Sequence, residues 1–228
     1  MAQKILLSCG ILSSLLYAAI NIIVPMYWPS YHPAAQTVSE LSAIGAPTRT
    51  LWIWLCSPYS FLVVAFAWGV WKSARRKRPL RIAAGLMIAY GALGLLWPFA
   101  PMHLRPVLAA GGATFSDTFH IALGAITEIL YLFALGFAAT AFGKPFHWYS
   151  IITFIVLLIF GTLTFMDAPL VGKGQPTPLM GVWERINIGV FLLWMAVLSL
   201  ILLRAEKQSR AASPLTHTYE KEESAQLL

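Results

Sequence analysis

The sequence predicts an all-α protein: a polytopic membrane bundle of six transmembrane helices, both termini cytoplasmic. Three observations carry this. Of 228 residues, 58% are hydrophobic and only 11% charged, where a soluble domain has about 25% charged, and the mean hydropathy is +0.71. Six apolar runs, 5–27, 51–71, 82–100, 117–142, 148–166 and 182–203, each come close to the ~20 residues that span hydrocarbon. The basic residues, finally, divide unevenly between the connections. Residues 1–204 read as one transmembrane domain, because short loops leave no room for a second. Residues 205–228 mix charge with Ser and Ala and read as a disordered cytoplasmic tail.

The first run is too long for a signal-peptide core and is followed by no convincing cleavage site, so it reads as a retained anchor. The connection after the second, KSARRKRPLR over residues 72–81, holds six of the sixteen Lys and Arg residues. With both ends of the chain inside, twelve basic residues lie in the cytoplasm and four outside (Arg49, Arg105, Lys173 and Arg185), as the positive-inside rule requires. The net charge of +7 therefore points to membrane lipids as the partner, with anionic headgroups a further candidate for the basic loop, and not to nucleic acid. The expected location is the bacterial cytoplasmic (inner) membrane. Trp28, Trp52, Trp54, Trp97 and Trp183 mark the outer interface as belt anchors, and Trp68, Trp71 and Trp148 the inner one. Cys9 and Cys56 begin successive antiparallel runs, too far apart for a disulfide.

The first outer connection contains Thr37-Val38-Ser39-Glu40, a capping box, and Gly45 with Pro47 as a stop signal. A short interfacial helix is expected near 38–44, with Val38, Leu41 and Ile44 on its apolar side. The second outer connection, 101–115, and the third, 167–181, are rich in Gly and Pro. Pro58 and Pro98 are expected to kink their spans.

Within the fourth run, SDTFHIALGAITEILY (116–131) carries Asp117, His120 and Glu128. At about 100° per residue, these three fall with Gly124 and Tyr131 in one stripe about 80° wide. A carboxylate at the bilayer centre costs roughly 2.5–3.5 kcal/mol, so the stripe must face other helices or a wet cavity. Adding Glu40, Ser39, Ser42, Arg49, Glu184, Arg185 and Asn187, the ionisable groups gather at the outer end. The candidate catalytic residues are His120, Asp117, Glu184 and Glu40, with His120 as general base or metal ligand oriented by Asp117. The candidate substrate contacts are Arg185, Arg49, Ser39, Ser42, Glu128 and Asn187, the arginines holding a headgroup. Glu128 is expected to meet Tyr17, Asn21 or Tyr90. If a metal binds, His120, His32, His103 and Asp117 supply an N/O set suited to zinc, although no two histidines have the i, i+4 spacing of a zinc signature. Each of these residues also has a structural reading, as a cap, a dipole complement or a polar clasp.

His32-Pro33, QTVSELSAIG (36–45), Ala46-Pro47, Asp117-x-x-His120 and Gly181-x-x-Glu184-Arg185-Ile186 resemble the domain of unknown function nine-nine-eight family of integral membrane proteins. That resemblance implies a fold and the importance of these positions, but no reaction. More remotely, Ser39 or Ser42 with Asp117 and His120 is similar to the membrane hydrolases that include alkaline ceramidases and adiponectin-receptor-like proteins, which implies a zinc-dependent hydrolase. The chain departs from them in having six spans and no His-x-x-x-His in its last helix. The leading functional expectation is an intramembrane hydrolase working on a lipid or lipid-linked substrate in a polar cavity at the outer end. The alternatives are a non-catalytic membrane factor or receptor, or a proton-coupled transporter. Substrate, metal and oligomeric state stay open.

Overall fold

The computed structural model describes the backbone of residues 1–226 and the side chains of residues 1–208. Its helices are α1 (Ala2–Ile23), α2 (Arg49–Ser73), α3 (Arg78–Gly94), the short α4 (Arg105–Ala109), α5 (Phe115–Ala139), α6 (Lys144–Gly172) and α7 (Met180–Gln226). Single 3₁₀ turns occupy Val24–Tyr27, Val38–Ser42 and Trp97–Phe99. The tail expected over 205–228 lies mostly outside the residues described with side chains.

Five of these helices, not six, are long and apolar enough to cross a membrane, the architecture of a multi-pass membrane protein. The exception is α3, which stops at Gly94 after 17 residues. Pro98 causes the shortfall. It lacks an N–H and disfavours helix in the residue before it, so Trp97–Phe99 tightens into a 3₁₀ turn instead of continuing a kinked span. Pro58 does sit inside α2.

Two other boundaries differ from expectation. Pro169 lies inside α6, which runs on to Gly172 and takes Asp167 with it; a proline that reads as a loop signal is tolerated in a membrane helix whose neighbours re-satisfy the freed backbone. The turn expected near 38–44 is 3₁₀ and ends at Ser42. Its Val38 and Leu41 are buried while Ile44 is not; the Ile44 N–H instead donates to the Met102 carbonyl, 2.8 Å. The capping box forms as read: the Thr37 N–H donates to Glu40 Oε1, 2.9 Å.

Helices α1, α2, α3, α5, α6 and α7 pack as a closed ring, each against the next and α7 back against α1. The main core lies in the half of the ring nearest residues 74–77 and includes Leu7, Phe66, Met87, Leu135 and Trp194. A smaller cluster, with Ile20, Val24, Val38, Leu41 and Trp52, lies at the other end. Trp54 and Trp148 face outward, as belt anchors do, but Trp52 is buried.

Candidate functional site

Between the ring helices lies a cavity of about 580 Å³, within the 300–1,000 Å³ usual for ligand pockets. Of the candidate residues, Glu40, Ser39, Ser42, Arg49, Asp117, His120, Glu128, Glu184 and Asn187 all line it. Arg185, His32 and His103 do not.

The mouth is built by ion pairs and caps. Glu40, 1% exposed, receives Arg105 through two parallel bonds, Nε to Oε2 at 2.9 Å and Nη2 to Oε1 at 2.7 Å. Such a fork is about twice as strong as neutral bonds. Arg105 also donates to Thr177 Oγ1 and the Ala35 carbonyl, 2.7 Å each, so α4 ties together the first and third connections. Glu40 thus serves as the acceptor that anchors Arg105. Nothing local in the sequence announced its partner, 65 residues away.

Asp117 closes a capping box on Thr114, accepting its N–H at 2.8 Å. It also accepts the His103 N–H at 2.7 Å and meets His103 Nδ1 at 2.8 Å. It orients His103, then, and not His120. The Thr114-x-x-Asp117 spacing is a readable signal for this, with Asp in place of the usual Glu.

His120 lies one turn deeper. Its Nδ1 is 2.6 Å from the Ala100 carbonyl. A carbonyl only accepts, so Nδ1 carries the hydrogen, and in the neutral ring Nε2 keeps its lone pair. Trp97 packs edge-on to the ring, centroids 4.9 Å apart. No protein hydrogen bond to Nε2 occurs among the described residues.

At the floor, Glu128 meets Tyr131 and Asn187, not Tyr17, Asn21 or Tyr90. The Tyr131 hydroxyl bonds Glu128 and lies 2.5 Å from Asn187 Oδ1. Asn187 Nδ2 donates to Glu128 Oε1 at 3.0 Å and to the Leu157 carbonyl at 2.8 Å. Gly161 makes room for this triad, since a Cβ there would lie 2.6 Å from Glu128 Oε1.

Glu184 accepts the Val38 N–H and the Ser39 hydroxyl at 3.5 Å, while Ser42 donates to the Ser39 carbonyl at 3.0 Å. Arg185 departs from its expected role. It donates to the Pro33, Gln36 and Gly181 carbonyls and to the Tyr31 hydroxyl, at 2.6–3.0 Å, and so holds the first connection onto α7. Gly181 lets this contact form, because a Cβ would collide with the Pro33 and Gln36 carbonyls. Burial pushes the Tyr31 phenol up from its ordinary value, against the pull of Arg185, and it stays a neutral partner. Arg49 lines the cavity but binds the Ser42 and Pro98 carbonyls, 2.6 and 3.4 Å.

The zinc set does not assemble. His32 is exposed, His103 is turned to Asp117 and His120 to Ala100. Among the described residues no group of three His, Cys, Asp or Glu side chains could hold a metal ion.

No curated protein and no solved structure matches the chain significantly. A family model described as "Protein of unknown function (DUF998)" matches residues 11–201, from α1 into α7, and the chain belongs to that family.

Proposed function

We propose that this membrane protein admits a lipid or lipid-linked amphiphile into the cavity and hydrolyses it at its polar end, with His120 as general base. The observation that carries the reading is His120 itself: a tautomer held by Ala100, an Nε2 with no protein partner, and a place in the cavity wall. A base so placed can take a proton from water as the water attacks an ester carbon, and return it to the alkoxide that departs when the acyl C–O bond breaks, giving an acid and an alcohol. The purified protein should consume a component of a bacterial lipid extract, followed by mass spectrometry. His120→Gln should abolish that turnover without lowering the melting temperature, and turnover unchanged in this variant would overturn the assignment.

A second reading is a non-catalytic lipid-binding factor. It is favoured because Ser39 and Ser42 donate elsewhere, so neither is engaged with His120 as a nucleophile. A wild-type protein that retains lipid through purification and never converts it would select this reading.

The same proposal orients the bundle with residues 72–81 in the cytoplasm and the cavity mouth outside. Helix α3, continued by Trp97–Phe99, then completes a sixth crossing, and both ends of the chain lie inside, in a bacterial cytoplasmic membrane. The closed ring supports this, because α3 packs against both α2 and α5. With Cys9 and Cys56 replaced, a cysteine at position 112 should react with an impermeant maleimide in intact cells, and one at position 76 should not. The reverse labelling would invert the orientation.

A further inference from the structure

The hydrogen-bonding capacity left over in the cavity indicates what it holds. Of the three arginines near the mouth only Arg49 lines the cavity, and the terminal nitrogens of all three have protein acceptors: carbonyls for Arg49, Glu40, Thr177 and Ala35 for Arg105, carbonyls and Tyr31 for Arg185. Lys173 does not line the cavity. The four acids along the wall also have donors: Arg105 on Glu40, His103 and Thr114 on Asp117, Val38 on Glu184, Asn187 on Glu128.

The neutral groups midway down are different. Ser60 is 3% exposed and lines the cavity, yet its hydroxyl has no partner among the described residues. The Tyr17 hydroxyl has none either, although its ring packs on Tyr59 and Trp52, centroids 4.6 and 5.9 Å apart. Tyr59 and Tyr90 share one bond, 2.9 Å between oxygens; two hydroxyls bring two hydrogens, so one remains to give. All of these residues line the same cavity. These hydroxyls open onto the cavity, unlike Asn21 Oδ1 and the Tyr149 hydroxyl, the fully buried atoms without a partner among the described residues. Several unengaged donors around one cavity are available to an acceptor inside it.

We propose that the molecule held here is an uncharged lipid, whose hydroxyl or carbonyl oxygen accepts from Ser60, Tyr17 and the Tyr59–Tyr90 pair. This rests on the reading that an amphiphile enters the cavity, and it adds that the amphiphile carries neither phosphate nor ammonium at this depth. The charged side chains at the mouth are tied to protein acceptors, while the hydroxyls midway down are neutral donors without one and suit an oxygen acceptor.

The test is thermal unfolding of the full chain in maltoside micelles, with probes that share one alkyl tail: decanol, methyl decanoate, decyl phosphate and decyltrimethylammonium. The alcohol or the ester should raise the melting temperature by about 2–4 °C near saturation, and whichever does so separates a hydroxyl ligand from a carbonyl one. The two charged probes should give smaller shifts. Ser60→Ala and Tyr17→Phe remove hydroxyls that bond nothing in the protein, so both variants should fold normally and bind the neutral probe about fivefold more weakly. A charged probe that matches or exceeds the neutral ones, or variants that bind the neutral probe unchanged, would overturn the inference and leave the amphiphile reading standing. No shift with any probe would overturn both.

Discussion

In the half of the bundle nearest residues 74–77, the ring helices meet through Leu7, Phe66, Met87, Leu135 and Trp194, each 0% exposed. In the other half the same helices enclose a cavity of about 580 Å³. The difference follows from what each stretch of helix carries. Near the basic end, apolar and small residues face inward, and close packing does most to hold the helices together, with a few bonds such as Ser199 to the Leu7 carbonyl added. Toward the loop end the inward stripe carries Asp117, His120, Glu128, Glu184 and Asn187, which cannot interdigitate as alkyl chains do. Cohesion there comes from directional bonds between elements, with Arg105 and Arg185 each making several. The polar half gives up packing and keeps an open space. A carrier would need a second opening through the packed half, where the core is continuous.

The largest expected effect breaks a tie at the loop end. Arg105→Ala leaves Glu40 buried without its cation, and an uncompensated buried charge costs about 3–5 kcal/mol. The melting temperature in micelles should fall by roughly 6–20 °C at about 2–4 °C per kcal/mol. If Arg105→Ala cost under about 1 kcal/mol, polar ties would not be what holds the hollow half. The matching change in the packed half is Met87→Ala, with an expected loss of about 2–5 kcal/mol. The two variants should separate on ligand binding: Met87→Ala should leave it intact, whereas Arg105→Ala should disturb it by loosening the mouth.

Asp117→Ala comes next, at about 1–2 kcal/mol for the lost cap with further loss at His103. Asp117 holds His103 and the start of α5 but does not touch His120. Stability should therefore fall more than any turnover does. A variant that melted like the wild type would remove Asp117 from the supports of the mouth.

What could be read in advance was what is local. The Thr37–Glu40 capping box and the Asp117–Tyr131 stripe on α5 are each confined to a short stretch of one segment, and both appear in the structure. The cavity-lining set was legible for the same reason, because a carboxylate inside an apolar run has few tolerable directions to face. Three things escaped. Arg105 and Glu40 pair across 65 residues, and a charge census cannot say which opposite charges meet. Arg185 shares the mouth's position in the chain, but its direction is set by the tight fit of Gly181 against Pro33 and Gln36, which no spacing encodes. Trp52 has the depth of a belt tryptophan, yet depth says nothing of rotation about the helix axis, and it turned inward. The short α3 shows a similar limit: hydropathy ran on past Gly94, while the backbone answered to Pro98.

The smallest effect is the most pointed comparison, because it uses one residue type in both halves. Ser199 and Ser60 are both buried, at 0% and 3% exposure. Ser199 donates to the Leu7 carbonyl at 2.6 Å, bridging α7 to α1, whereas Ser60 faces the cavity side with no protein partner. Interhelical bonds of the first kind average about 0.6 kcal/mol in membranes, so Ser199→Ala should lower the melting temperature by roughly 1–2 °C. Ser60→Ala removes a hydroxyl that opens onto the cavity and bonds nothing in the protein, so the fold loses no bond with it. In the ligand-free protein its melting temperature should therefore hold or rise slightly, and a decrease should appear only when the cavity is filled. If both serines cost the same in the empty protein, Ser60 serves the fold as Ser199 does, and the division of the bundle into a packed half and a receiving half loses its sharpest support.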